Sequence, residues 1–486
     1  MKPIRLGLLG LLAATALLAG SAVGREPVAQ TTWYAIVAEG GERIGHASRE
    51  ITAGPEGRRI VEVQDVSLQE RRSPLTRILS TTSTREDAAG RAVLIRSETK
   101  TGDSETSTEA RIGVDAATIT RQTASGRRSA TVALPPTVRF DGGEALLRGW
   151  DPAATPQLAF DSLNVDAMAV ERVVIEVLPG APASTDGGMT ILRRRYEGGE
   201  LRSVARLTLD RDRRVTAVTQ PMFGASITIR PADKATALAP HPPYRVLPGV
   251  MTKSPFRIPP SAVLGHIRYR FTFVDGLAFA LPATGEQRVA AGPEAASVDI
   301  CDGCGPGLPT DAAYLADARR PTAWLQSDDP RLLAIAGPVG RMKVSDTRKM
   351  EILLRKARPY MGRIDFAGHY SALETIERRA GDCTEAAVLL AALGRTAGIP
   401  TRVVNGLVYS RERYHGVSNA FMPHSWTLAY VDGQWRSFDL ALDTFDSTHI
   451  ALTVGDGDMR SVLAAGQLSS LLRWDSMTEV RTRPGS

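Results

Sequence analysis

Three residues far apart in the chain, Cys383, His424 and Asp439, could together perform covalent acyl transfer. A thiolate attacks carbonyls, a histidine can take and return its proton, and a carboxylate can select the histidine tautomer and stabilise the imidazolium. Cys383 stands at the head of GDCTEAAVLLAALGRTAGIPTRVV, residues 381–404, where a turn opens into an apolar helix that Gly398, Ile399 and Pro400 stop. With Asp382 as N-cap, Cys383 takes the first helical position and Glu385 the third, a capping box with aspartate in the cap place. The helix end favours thiolate through its unpaired N–H groups and its dipole. Asp382 and Glu385 oppose that effect, so the thiol needs a cationic partner. From Ala386 to Leu393 the helix is apolar on nearly every side, so it must be buried and the sulfur rigidly held. Backbone N–H groups at the helix start, including that of Cys383, would meet the oxyanion.

His424 opens HSWTLAYV, and Asp439 lies at the end of QWRSFDL. Between them Asp432-Gly433 signals a two-residue hairpin loop. With Val431 opposite Gln434, Asp439 faces Trp426 and His424 is its diagonal neighbour, within reach of a side-chain hydrogen bond. Trp426 is most simply sheet packing, but it shares a face with His424 and is a candidate substrate contact. The remaining histidines, 46, 241, 266, 369, 415 and 449, are surface, loop or core residues by default.

Elements of two kinds must position these groups. From Thr31 to about Arg230, alternating segments such as TTWYAIVA, GRRIVEVQDV, ATITRQ and RVVIEVL read as many antiparallel strands. No catalytic constellation lies there, and a packing or spacer module is favoured over a ligand-binding barrel. Residues 239–260 hold seven prolines and read as a linker. IRYRFTFV, LAFALPA, QRVAA and ASVDICDGCG suggest a small β module over 261–310. Helical spacing begins in DTRKMEILLRKARPYM and SALETIERRA, then strands return after the Cys383 helix, so the C-terminal part, 311–486, is α+β.

The first residues, MKPIRLGLLGLLAATALLAGSAVG, carry Lys2 and Arg5, an apolar stretch and small residues at Ala22 and Gly24, an export signal over 1–24 followed by a β-rich region over 25–238. No stable membrane span is expected once it is cleaved. The net charge of +6 falls to +4 without Lys2 and Arg5, and the scattered charges give no reason to infer nucleic acid. Of the three cysteines, Cys301 and Cys304 form a CxxC pair read as a structural disulfide, ahead of a redox dithiol or half of a zinc site, leaving Cys383 as the odd, reactive thiol. No metal or cofactor is expected. DTFDSTHI and GDGDM lack calcium-loop spacing.

The run from Gly381 through the AGIP helix stop, followed by HSWTLAYVDGQWRSFD, resembles the bacterial transglutaminase-like superfamily over roughly residues 320–455. The order and spacing match, with 41 residues from Cys383 to His424 and 15 more to Asp439. THIAL, Thr448 to Leu452, resembles a later segment of exported members. The resemblance implies a papain-like α+β core preceded by antiparallel β-rich N-terminal domains, with Cys383, His424 and Asp439 as the triad. Asp439-Leu440 departs from the family, where proline often follows the aspartate. The expectation is a periplasmic or secreted thiol enzyme acting on amide bonds of a protein or peptide, with hydrolysis preferred over transfer to an amine. The alternative is a non-catalytic envelope binding or assembly protein with an envelope protein partner.

Overall fold

The computed structural model describes residues 29–481 except 70–74, 125, 179–186, 223–224, 246–250, 364–368 and 413–416. The expected leader and His415 lie outside the described residues. Two compact units divide at residues 246 and 247.

In the N-terminal unit the alternating segments form one antiparallel sheet, fourteen strands among the described residues, from β1 (Gln30–Ala38) to β8 (Gly126–Ala133) and from β9 (Gln157–Asn164) to β14 (Ala225–Ala232). Each strand pairs with its chain neighbour within those two runs, and β1 pairs with β14, joining two meanders into one path. The ends of the path, β8 and β9, are consecutive in the chain. A parallel bridge between Val138 and Asp161, and a core cluster of Ile95, Ala110, Ala117, Ile119, Leu163 and Val165, draw them together, so the sheet curls upon itself. Alternation in a sequence shows which face of a strand is apolar, not which strand is its partner, and the curvature was therefore not foreseen.

Among the described residues the C-terminal unit packs two sheets and five helices of seven residues or more. One sheet runs β15 (Thr252–Lys253), β20 (Ala420–Val431), β19 (Thr401–Ser410), β22 (Ile450–Gly455), with β21 (Gln434–Phe438) also paired to β20. The other runs β17 (Gln287–Ala291), β18 (Ala295–Ile300), β16 (Ile267–Phe273), β23 (Leu472–Glu479). Aromatic rings join them: Phe421 of β20 meets Trp474 of β23 at 4.3 Å and Tyr269 of β16 at 6.1 Å between ring centroids. The helices are α1 (Pro330–Gly340), α2 (Asp346–Ala357), α3 (Ala372–Arg378), α4 (Cys383–Thr396) and α5 (Met459–Ser470).

Four features differ from the sequence reading. The strands of 261–310 are not a module of their own, because β23 completes their sheet by pairing with β16. Such a partner, two hundred residues away, leaves no local signal. LAFALPA is not a strand: Leu277, Phe279 and Leu281 are buried in alternation, but no ladder forms there. Pro282 can donate no ladder hydrogen bond. The proline-rich segment is only partly a linker, since Thr252 and Lys253 pair with Phe421 and Ala420 at a sheet edge. Helices α1 and α5 were not anticipated, although Asp329 and Asp458 cap them. Among the described residues no helix is long and apolar enough to cross a membrane.

Candidate active site

Helix α4 is the pivot of the C-terminal unit. Every residue from Cys383 to Arg395 is buried, packed against α1, α2, α3 and the β19–β20 face. Its start is fixed by the expected capping box: Asp382 accepts from the Thr384 N–H at 2.6 Å, and Glu385 Oε2 accepts from the Asp382 N–H at 2.9 Å. Gly381 is required by this geometry, because a Cβ there would stand 2.5 Å from the Glu385 Cβ. At the other end Gly398, at φ 88°, closes the helix, with Ile399 N–H bonding Gly394 O and Gly398 N–H bonding Arg395 O, both at 2.9 Å. This is the double hydrogen bond of a Schellman end. The sulfur is thus carried on a rod fixed at both termini.

The hairpin adopts the register read from its turn. Val431 pairs with Gln434 and Thr427 with Phe438, and Asp432 and Gly433 both have positive φ, as a type I′ turn requires. Asp439 lies one residue beyond the ladder. Its Oδ2 is 2.7 Å from His424 Nε2, with both side chains fully buried. The helix and this strand are locked together: Thr427 Oγ1 donates to Ala387 O at 2.9 Å, three residues along β20 from His424 and four along α4 from Cys383. The Ser425 backbone N–H, next to His424, donates toward the Cys383 sulfur. His424 Nδ1, buried, has no hydrogen-bond partner. A buried ring nitrogen left unpaired costs roughly 1–3 kcal/mol and is rare in structural networks.

Electrostatics do not make Cys383 a ready thiolate. Burial pushes the thiol well above its ordinary value and the Asp382 carboxylate adds to this, with the Ser425 N–H pulling the other way. Burial also pushes the Asp382 and Glu385 carboxyls up. Asp439 is the opposite case: burial works against its charge, but His424 and His449 outweigh it and hold the carboxyl well below the usual range.

His449 is the residue the sequence reading missed. Its Nε2 lies 3.1 Å from the same Asp439 Oδ2 that meets His424, and its Nδ1 lies 3.1 Å from Asp446 Oδ1. Burial disfavours its charge, yet the hydrogen bonds to Asp439 and Asp446 hold its pKa up to about 9. The one available signal was its place in THIAL, close after Asp439. Asp439 Oδ1 is engaged as well, accepting from the Ala441 and Leu442 N–H groups at 2.8 and 2.9 Å. Both donors lie beyond Leu440, so a proline at that position would leave them in place.

Trp426 walls the site. It is 1% exposed, its ring stacks 6.1 Å from His424 and stands edge-on to His449 at 5.2 Å, and its Nε1 donates to Ser437 Oγ. Cys301 and Cys304 form a disulfide next to this wall. Cys301 N–H bonds Glu286 O, and the Glu286 carboxylate accepts from Ser437 N–H and Oγ at 2.8 Å each. As for metals, His424, Asp439 and His449 bring three donor atoms within 4.8 Å of one another. Those atoms are engaged with each other, and a zinc-type site would want about four ligands.

The site thus sets a helix-borne cysteine and a strand-borne histidine, hydrogen-bonded to a carboxylate, in one buried core. Residues 342–440 match the family model of the transglutaminase-like superfamily, so the chain carries a transglutaminase-like domain, and His449 falls beyond the matched segment. No curated protein is significantly similar to the chain. Among solved structures, the periplasmic domain of TgpA from Pseudomonas aeruginosa bound to ethylmercury is similar at 16% identity and TM-score 0.27, covering 46% of this chain and 83% of that one. A β-barrel-like protein from Brucella abortus is similar at 15% identity and TM-score 0.33, covering 43% of this chain and 97% of that one.

Proposed function

We propose that the protein is an exported thiol enzyme that cleaves amide bonds of a protein or peptide through Cys383, His424 and Asp439. The observation that carries this reading is the orphaned, buried Nδ1 of His424, whose other nitrogen is held by Asp439 at 2.7 Å, on a strand locked to the Cys383 helix. With the thiol held protonated at rest, His424 acts as a general base. Nδ1 takes the thiol proton as the sulfur bonds to the carbonyl carbon. The imidazolium then gives that proton to the leaving amine as the C–N bond breaks, leaving a thioester on Cys383. Water, deprotonated by His424, releases the acid and regenerates the thiol. A primary amine in place of water would give transfer, but water is present in excess and no amine-accepting surface can be recognised in the sequence. Export rests on the N-terminal leader and on a cysteine pair suited to an oxidising compartment.

An activated peptide ester tests the reaction. Intact-mass analysis is expected to find one acyl group on Cys383 in the wild type and none in Cys383→Ala, with product partitioning reported by an added primary amine. A second reading, an envelope binding protein with an inherited domain, is favoured by the 5% exposure of Cys383. Folded wild-type protein that forms no adduct would establish it over the enzyme.

A further inference from the structure

We propose that His449 is a positioning residue of this site, an imidazole that anchors the Asp439 oxygen holding His424 and thereby keeps His424 in its basic tautomer. The inference rests on the thiol-enzyme reading above and adds a residue to it. The geometry is a buried line of alternating groups: His424 Nε2, Asp439 Oδ2 at 2.7 Å, His449 Nε2 a further 3.1 Å away, and Asp446 Oδ1 3.1 Å from His449 Nδ1. The side chains of His424, Asp439 and His449 are fully buried, while that of Asp446 is 20% exposed.

Both nitrogens of His449 face oxygen. Nδ1 lies 3.1 Å from Asp446 O as well as from its carboxylate, against one competing N–H, that of Asp446, at 3.2 Å. The titratable groups around the ring are Asp439 from the segment after β21, His424 from β20, and Asp446 from its own loop. Tyr269, from β16, donates its hydroxyl to Ser447 O close by. Phe445 and Trp426 cover the ring faces without charge. Two carboxylates against one imidazole favour a doubly protonated, cationic ring.

The consequence for His424 follows from proton accounting. An ionised Asp439 can only accept, so His424 must carry its proton on Nε2 and leave the Nδ1 lone pair free for the thiol. Were Asp439 protonated, it could donate to Nε2 and push the ring proton to Nδ1, a tautomer unable to receive a proton from Cys383. Removing the wrong-tautomer barrier is the work of an orienting carboxylate, and a cation on its far side keeps that carboxylate ionised in a dry site. Asp446 also lines a cleft of about 250 Å³ with Leu264, Glu286, Arg436 and Phe445, which connects the outer end of the line to solvent.

The test is ring ¹⁵N NMR of histidine-labelled whole protein across pH, with iodoacetamide alkylation of Cys383 on the same samples. Wild-type His449 is expected to be protonated on both nitrogens at pH 7 and to lose a proton near pH 9, with Asp439→Asn lowering that transition. His449→Leu is expected to slow alkylation at pH 7 by roughly tenfold or more, the range for outer-shell partners. His449→Gln retains an N–H for Asp439 and should recover part of the rate if the leucine variant folds poorly. A singly protonated His449 at pH 7, or a folded His449→Gln and His449→Leu pair that alkylates with the wild-type rate and pH profile, would overturn the assignment. If wild-type Cys383 reacts no faster than in His424→Ala, the thiol-enzyme reading fails, and the NMR arm still decides whether His449 anchors Asp439.

Discussion

Asp439 accepts two backbone N–H groups on one oxygen and faces two imidazoles on the other, and this arrangement decides how the folded state responds to pH. His449 has its pKa raised from 6.5 to about 9, so its contribution is fully present below about 6.5 and is lost as pH rises through 9. Fully realised, such a shift corresponds to about 3 kcal/mol. His369 is the mirror case. Burial lowers its pKa to about 4, with its Nε2 2.8 Å from Gly457 O, so its contribution is present above 6.5 and lost as pH falls through 4. In thermal unfolding followed by circular dichroism, His449 should therefore contribute a decline between about pH 6.5 and 9 and His369 one between about pH 6.5 and 4, each added to what the raised Asp382 and Glu385 carboxyls contribute. His449→Leu should flatten the alkaline decline and leave the acid one unchanged. A decline on the alkaline side that persists in a folded His449→Leu would show that another group causes it.

At the scale of elements, the start of α4 and the β20–β21 hairpin decide whether three distant side chains can cooperate. Asp382 does two opposed things there, capping the helix through the Thr384 N–H and raising the thiol through its charge. Asp382→Asn separates them, because asparagine caps as well as aspartate. Its melting temperature should stay near the wild type while Cys383 alkylates at lower pH. Asp382→Ala should show the same alkylation shift together with a loss of about 1 kcal/mol. An unmoved alkylation profile in both would remove Asp382 as a determinant of the thiol. These two elements were also the most legible part of the sequence, because capping boxes, glycine helix ends and Asp-Gly turns are written in adjacent residues. His449 was not legible, since its meaning lies in a hydrogen bond to a residue whose position is set by a separate turn. The completion of the β16 sheet by β23 and the meeting of β8 with β9 were hidden for the same reason. They are pairings between segments whose local patterns say nothing about each other.

Over the whole molecule, the disulfide and Cys383, His424 and Asp439 belong to one compact unit and the curled sheet to the other. Cys301 and Cys304 close a very short loop, so the unfolded-state entropy they remove is worth about 2 kcal/mol at most. Reduction should lower the stability of the C-terminal unit by no more than that, read as the loss of near-ultraviolet signal from Trp426, Trp435 and Trp474 in denaturant. A larger loss would mean that the Glu286–Ser437 contact depends on the bridge for its geometry. The claim on which the functional account stands is that Cys383 and His424 share a proton across the α4–β20 contact. The second-order rate of Cys383 alkylation by iodoacetamide, measured from pH 5 to 10 in wild type and His424→Ala, tests it directly. The account predicts that the wild type reacts at pH 7 at least tenfold faster because His424 takes the thiol proton as the sulfur attacks, while burial and Asp382 hold the thiol above the ordinary cysteine range in both proteins. Superimposable profiles for the two folded proteins would contradict it.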